Sequence, residues 1–211
     1  MKLKVCGMKY LPNIQELEDQ VRPDWMGLIF YSPSPRFVGK KVNPEIAKVS
    51  LNKVGVFVNE PLTSILEKTK HFGLSGIQLH GDESVDLAKK IKSITGLEVF
   101  KVFKVKNKIN WSVMEPFLPW VDYFLFDTFT ENHGGSGQRF DWEVLNDYPF
   151  DKSFLLSGGI GMELVGQVND LKKQLPQMLG VDINSKFELE PGLKNIPEIR
   201  KFKKQLINET A

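Results

Sequence analysis

Cysteine is nearly missing from this 211-residue chain, which has 1, Cys6, so no disulfide can close within it and no thiolate cluster can bind a metal. Its 3 histidines (His71, His80 and His133) lie far apart, without an H-x-H or HExxH spacing. No metal site is therefore expected. No apolar run approaches the ~20 residues of a membrane span. The N-terminal MKLKVCGMKY has no signal-peptide core and moves straight into a strand pattern. The expected location is cytoplasmic, with no membrane partner. Excess charge is also small: the net is +2, and the basic residues are scattered apart from a cluster at Arg200–Lys204 that suits the solvated face of a final helix. Nothing here suggests a nucleic-acid partner.

Glycine is absent where a dinucleotide fingerprint needs it, since neither Gly135-x-Gly137 nor Gly159-x-Gly161 continues to a third glycine. Ser136, in Gly-Gly-Ser-Gly-Gln, misses the G-x-S-x-G nucleophile elbow by one residue.

What is present is a repeated alternation. The 211 residues suffice for one well-buried domain or for two small ones, and hydrophobic residues at 41% with charged residues at 26% are ordinary for a soluble globular chain. Short apolar runs read as strands at Leu3–Val5, Trp25–Phe30, Lys53–Val58, Gly76–Leu79, Leu97–Val102, Tyr123–Phe126, Phe154–Leu156 and Met178–Val181. Helical spacing separates them: Asn13–Val21 with Asn13 as N-cap, Pro44–Val49, a helix through His71, Glu83–Ile94, a less regular Ile109–Leu118, a helix begun by Asp141, Met162–Leu175, and finally Ile196–Ile207. Apolar runs, as opposed to strict alternation, fit parallel strands buried on both faces. Eight such units without a linker predict a (β/α)8 TIM barrel spanning residues 1–211 as a single domain. An open doubly wound sheet is the structural alternative.

In a barrel the active site lies at the strand C-terminal ends. The residues there are Cys6, Arg36, Asn59, His80, Asp127, Ser157-Gly158-Gly159 and Asp182-Ile183-Asn184-Ser185. Gly158 and Gly159 follow strand seven, and Asn184 and Ser185 follow strand eight, where barrels hold phosphate on backbone N–H groups. They could equally form a plain turn and a helix cap. Cys6 and Asp127 could face each other as a base and an acid, or be a buried structural cysteine and a loop-capping carboxylate. Arg36, on a loop stiffened by Pro33 and Pro35, could clamp a carboxylate in a bidentate pair or form a surface ion pair. His80 reads as a rim residue or as a satisfied structural histidine. Asp182 either orients a loop or caps one.

Taken together, these segments resemble the phosphoribosylanthranilate isomerase family, in order and over nearly the whole chain. The carriers are Lys4-Val5-Cys6-Gly7-Met8, Phe30 through Val38 with its Ser34-Pro35-Arg36 centre, Val54 through Asn59, and Ile77-Gln78-Leu79-His80-Gly81. They continue with Asp127 and Gly134 through Trp142, Ser157-Gly158-Gly159-Ile160, and Gly180 through Ser185. Three departures stand out: Lys9-Tyr10 after Met8, Ser157 where alanine is usual, and Lys186-Phe187 in place of the usual Gly-Val.

The resemblance implies an Amadori rearrangement of N-(5-phosphoribosyl)anthranilate in tryptophan biosynthesis, with no cofactor. It makes Asp127 the general acid and Cys6 the general base. Arg36 would hold the anthranilate carboxylate. His80, Gly135, Gly137, Gly158, Gly159, Asp182, Asn184 and Ser185 would complete the substrate site. The related histidine-pathway isomerase pairs two aspartates, against which Cys6 speaks, and indole-glycerol phosphate synthase uses a lysine base. The implied partner is a small phosphorylated substrate, and the assembly a monomer or homodimer. Residues 129–138, with their glycines, are expected to cover the substrate.

Overall fold

The computed structural model of the chain describes residues 1–39, 43–128 and 140–206. Eight parallel strands pair in sequence order and close into a barrel. They are β1 (Lys2–Val5), β2 (Trp25–Ile29), β3 (Lys53–Phe57), β4 (Gly76–Leu79), β5 (Glu98–Val105), β6 (Tyr123–Thr128), β7 (Phe154–Leu156) and β8 (Met178–Ile183). Closure comes from β1 against β8, with Leu3 opposite Val181 and Lys4 opposite Asp182. The fold is the (β/α)8 TIM barrel, not the open sheet.

Side chains alternate across each strand, and that period sorts the interior. Leu3 and Val5, Phe124 and Phe126, and Val181 and Ile183 point outward into the main core beneath the helices. The opposite set fills the barrel itself: Trp25, Val54, Phe100, Val102, Leu125 and Leu155 form a second apolar cluster. Its base is aromatic. Trp25 stands edge-on to Phe100 and to Tyr123, with 5.5 Å between ring centroids in both pairs. Both polar tips find Glu98, through Trp25 Nε1 at 2.7 Å and the Tyr123 hydroxyl at 3.1 Å. Burial, helped by Glu98, pushes the Tyr123 hydroxyl up to about 12, so it remains a donor.

The helical layer is thinner than the sequence pattern predicts. The α-helices are α1 (Leu11–Gln20), α2 (Leu62–Phe72), α3 (Val85–Thr95), α4 (Val165–Gln174) and α5 (Ile196–Gln205). Single 3-10 turns replace helices at Pro44–Lys48, at Trp111–Val113 with Glu115–Phe117, and at Trp142–Leu145. The expected Ile109–Leu118 helix is broken by Pro116, which sits at the start of the second turn. Asp141 does cap a start, accepting from Glu143 N at 3.1 Å, but only one turn follows.

Asn13 is not an N-cap. It is buried inside α1, whose N-cap is Tyr10, and its amide clasps the Lys194 backbone: Nδ2 donates to the carbonyl at 3.0 Å and Oδ1 accepts from the N–H at 2.8 Å. That clasp anchors an element the sequence pattern does not reveal, a hairpin of β9 (Glu188–Glu190) and β10 (Leu193–Lys194) between β8 and α5. Among the described residues, no helix is long and apolar enough to cross a membrane.

Candidate active site

Above the apolar cluster, the same inward-facing positions turn polar. Two residues further along the strands, the alternation delivers Cys6 after β1, Gln78 in β4 and His80 just after it, Asp127 in β6, Ser157 after β7 and Asp182 in β8 to a single cavity. Arg36, Gly158, Gly159, Asn184 and Ser185 line it too. So does Lys186, one of the departures from the family pattern. The described strand-end residues thus meet at one mouth, apart from Asn59, whose Oδ1 instead accepts from the Asp82 N–H at 2.8 Å, and Ile183, which packs in the outer core. Gly135, Gly137 and the expected cover at 129–138 lie outside the described residues.

Cys6 is buried, and its thiol sits over the bare α-carbon of Gly27, where a Cβ would come within 2.7 Å of Sγ. A buried ion pair lies beside it. Lys4 Nζ meets Asp182 Oδ1 at 3.0 Å, with side-chain exposures of 0% and 6%. Burial lowers the Lys4 pKa, but Asp182 and Cys6 outweigh it and the net shift is upward, so the ammonium persists in the barrel. At Asp182 burial wins over the same pair and the carboxyl is raised. At Cys6 burial likewise raises the thiol, with Lys4 pulling the other way. The resting group is therefore a thiol held next to a fixed positive charge.

Asp127 is pushed up to about 6, first by burial and then by the charge of Asp182, against the Thr128 N–H at 2.9 Å and two lysines. Its Oδ2 lies 3.5 Å from His80 Nε2, too long for a strong hydrogen bond. Gln78 Nε2 lies 3.0 Å from His80 Nδ1 and holds the ring in place from its other side. His80 is thus a rim residue beside the acid. Gln78 is buried, and its Oε1 has no hydrogen-bond partner among the described residues.

The glycyl loop after β7 needs its glycines. Gly158 and Gly159 have φ of +89° and +65°, and a Cβ on Gly158 would strike the Thr128 hydroxyl. The loop after β8 runs through Asn184 into the 3-10 turn Ser185–Phe187. Ser157 Oγ donates to the Asp182 carbonyl at 3.2 Å and ties the start of the loop after β7 to the end of β8.

Arg36 is buried, and it is already paired. Its Nε donates to Glu188 Oε1 at 2.9 Å and Oε2 at 3.0 Å, and Nη2 to Oε2 at 2.6 Å. Glu188 also receives Lys194 Nζ at 2.6 Å and Gly192 N at 3.0 Å. Burial would raise this carboxyl, but Arg36 and Lys194 hold it below the usual range.

Four residues of this mouth were missed in the chain's local patterns. Lys4 was recoverable, because it shares the inward face of β1 with Cys6. Gln78 stands two before His80 in the same way. Glu188 and Lys194 carry no local signal, since the hairpin that brings them in lacks strand periodicity.

A closed parallel barrel whose C-terminal mouth collects a thiol, a raised carboxyl, an arginine and two glycyl or polar loops has the build of a (β/α)8-barrel enzyme. The comparisons name the family. The profile of N-(5'phosphoribosyl)anthranilate (PRA) isomerase matches residues 3–205, and the chain belongs to that family. It is 39% identical to the N-(5'-phosphoribosyl)anthranilate isomerase of Parabacteroides distasonis, over 99% of this chain and 94% of the relative. The phosphoribosyl anthranilate isomerase of Thermotoga maritima superposes with a TM-score of 0.78 at 31% identity, covering 97% of this chain and 98% of that one. A phosphoribosyl anthranilate isomerase solved with reduced 1-(o-carboxyphenylamino)-1-deoxyribulose 5-phosphate superposes at 0.75, with 29% identity and 97% of each chain covered.

Proposed function

We propose that the chain isomerises N-(5'-phosphoribosyl)anthranilate to 1-(2-carboxyphenylamino)-1-deoxyribulose 5-phosphate, with Asp127 as general acid and Cys6 as general base. Asp127 gives its proton to the furanose ring oxygen as the C1–O bond breaks, and the anilino nitrogen lone pair forms the C1=N bond of a cationic Schiff base. Cys6 then takes the C2 proton, and the C2–H electrons form the C1=C2 bond of the enolamine while the C=N pair returns to nitrogen. Tautomerisation moves a proton from the C2 hydroxyl to C1 and leaves the ketone. Cys6 acts from its thiolate, the thiol proton having passed to solvent, and exchange with solvent afterwards takes the C2 proton from Cys6 and returns one to Asp127, so the net change is an isomerisation made of proton transfers alone.

The observation that carries this reading is the pairing of environments at the mouth. Asp127 is held at about 6, so it can donate a proton near neutral pH. Cys6 needs help to become a base, since burial favours its thiol form. Lys4 supplies one fixed positive charge beside it, and the cationic intermediate adds a second only after ring opening. The thiolate is then favoured at the step that uses it.

Arg36 holds the anthranilate carboxylate, while the loops at Gly158-Gly159 and Asn184-Ser185 hold the phosphate, with Lys186 as an additional cation at the mouth. Steady-state turnover of phosphoribosylanthranilate by the purified protein tests the reading, with the histidine-pathway substrate as control. Turnover of the first substrate alone is expected. Inactivity with the first, or preference for the second, overturns it.

A further inference from the structure

We propose that Glu188 is a positioning residue: from the β9–β10 hairpin it holds the Arg36 guanidinium by one edge, so that the other edge is presented to the aryl carboxylate of the substrate. The proposal rests on the reading of Arg36 as that anchor.

Geometry carries it. All three hydrogen bonds between the two side chains use Nε and Nη2 of Arg36, and both carboxylate oxygens accept. That is the side-on fork of a guanidinium. Nη1 and the second Nη2 hydrogen form the end-on fork, the geometry a second carboxylate fits. Arg36 lines the cavity, and the pair is buried, with side-chain exposures of 8% for Arg36 and 5% for Glu188. The guanidinium cannot choose another rotamer without abandoning a buried carboxylate. A Cβ on Gly7 would come within 2.8 Å of Arg36 Cδ, so the stem is confined as well.

Charge counting points the same way. Glu188 carries one negative charge between two buried cations, Arg36 and Lys194. The cluster therefore has one positive charge uncompensated within itself, and a substrate anion supplies the counter-charge. Lys194 also donates to Asn184 Oδ1 at 2.6 Å. A single buried chain, Arg36–Glu188–Lys194–Asn184, thus joins the proposed carboxylate anchor to the strand-eight loop. The arrangement fixes the spacing between the two anionic ends of the ligand and makes the site selective for an ortho-carboxylated aryl amine.

The test is calorimetric binding of two probes to the intact protein: reduced 1-(2-carboxyphenylamino)-1-deoxyribulose 5-phosphate and its descarboxy 1-phenylamino counterpart. Wild type is expected to prefer the carboxylated probe by ~10–100-fold, the range of a charged bidentate contact. Glu188→Gln should cut that preference by ~10-fold or more, while affinity for the descarboxy probe stays within ~3-fold, because the remaining amide oxygen still accepts from Lys194 and keeps the strand-eight loop in place. In an Arg36→Met background, adding Glu188→Gln should leave the preference unchanged.

A preserved preference in folded Glu188→Gln, or equal weakening of both probes, overturns the role of Glu188. No preference in wild type instead overturns the role of Arg36, and absent turnover overturns the proposed function, so the three failures are distinct. If Glu188→Gln does not fold, Glu188→Asp, which keeps the charge but shortens the reach, must show the same loss of preference. If neither folds, Glu188 is structural and the proposal fails.

Discussion

The two ends of the barrel interior are built on opposite principles from the same eight strands. At the N-terminal end Trp25, Phe100 and Tyr123 interlock over Glu98, and every polar tip there has a partner. At the C-terminal end Lys4, Asp182 and Cys6 are buried as charges or potential charges, Asp127 is half-buried with 24% of its side chain exposed, and Gln78 Oε1 lacks a partner among the described residues. The first end stabilises the barrel by removing apolar area from water. The second costs stability, because burial raises Asp127, Asp182 and Cys6 away from their ordinary ranges. The lesson is that the strained chemistry is held by an interior whose other end is well satisfied.

Four experiments test that contrast. The largest effect is expected at the upper end on rate, not stability: Cys6→Ala and Asp127→Asn should each lower kcat by ~10²–10⁴-fold. Substrate affinity should change far less, and near-wild-type rates in either variant would remove the acid–base assignment. At the lower end the pattern should invert. Phe100→Ala is expected to cost about 3–5 kcal/mol in urea unfolding, while kcat of the folded fraction stays at the wild-type value. A variant that unfolds no more easily but turns over slowly would show that the ends are not separable.

The third experiment is a pH series. Asp127 moves from 3.8 in an unfolded chain to about 6, so the folded state binds its proton more tightly. Its contribution to stability is full below pH 4 and is lost as the pH rises through about 6. The difference is about 3 kcal/mol at roughly 1.4 kcal/mol per pH unit. Asp127→Asn should flatten the slope of stability against pH between 4 and 6, and kcat/KM of the wild type should fall above about 6 as the acid form is depleted. An identical slope in the variant would show that another group titrates.

The smallest effect is expected at the rim. Arg36→Ala should raise KM by ~10–30-fold through loss of a charged hydrogen-bonded contact, with a modest change in kcat. Unchanged KM would confine Arg36 to its ion pair with Glu188.

Much of this was legible along the chain. Eight apolar runs at regular spacing specify a parallel barrel because a strand buried on both faces cannot afford alternating polar residues. Cys6, Arg36, His80 and Asp127 were visible because each directly follows or ends such a run, which in a barrel is an address at the mouth. The helices were less legible. The Ile109–Leu118 and Asp141 segments have helical spacing but fold as 3-10 turns, because spacing records only which residues are apolar and not whether the loop leaves room for two full turns. Asn13 looked like a cap because asparagine usually is one. Its amide instead clasps a segment 181 residues away.

The eight apolar runs, and the placing of Cys6 and Asp127 where two of them end, are written in the sequence, because burial on both faces and a position at a strand end are local properties. Only the tertiary structure decided what those residues meet. Asp182 finds Lys4 because closure pairs the first strand with the last. Arg36 finds Glu188 because the β9–β10 hairpin folds back over the mouth, 152 residues away in sequence. Local patterns register burial and turns, both properties of neighbours along the chain. An ion pair between distant segments depends on where the chain returns, and that follows only from the closed barrel.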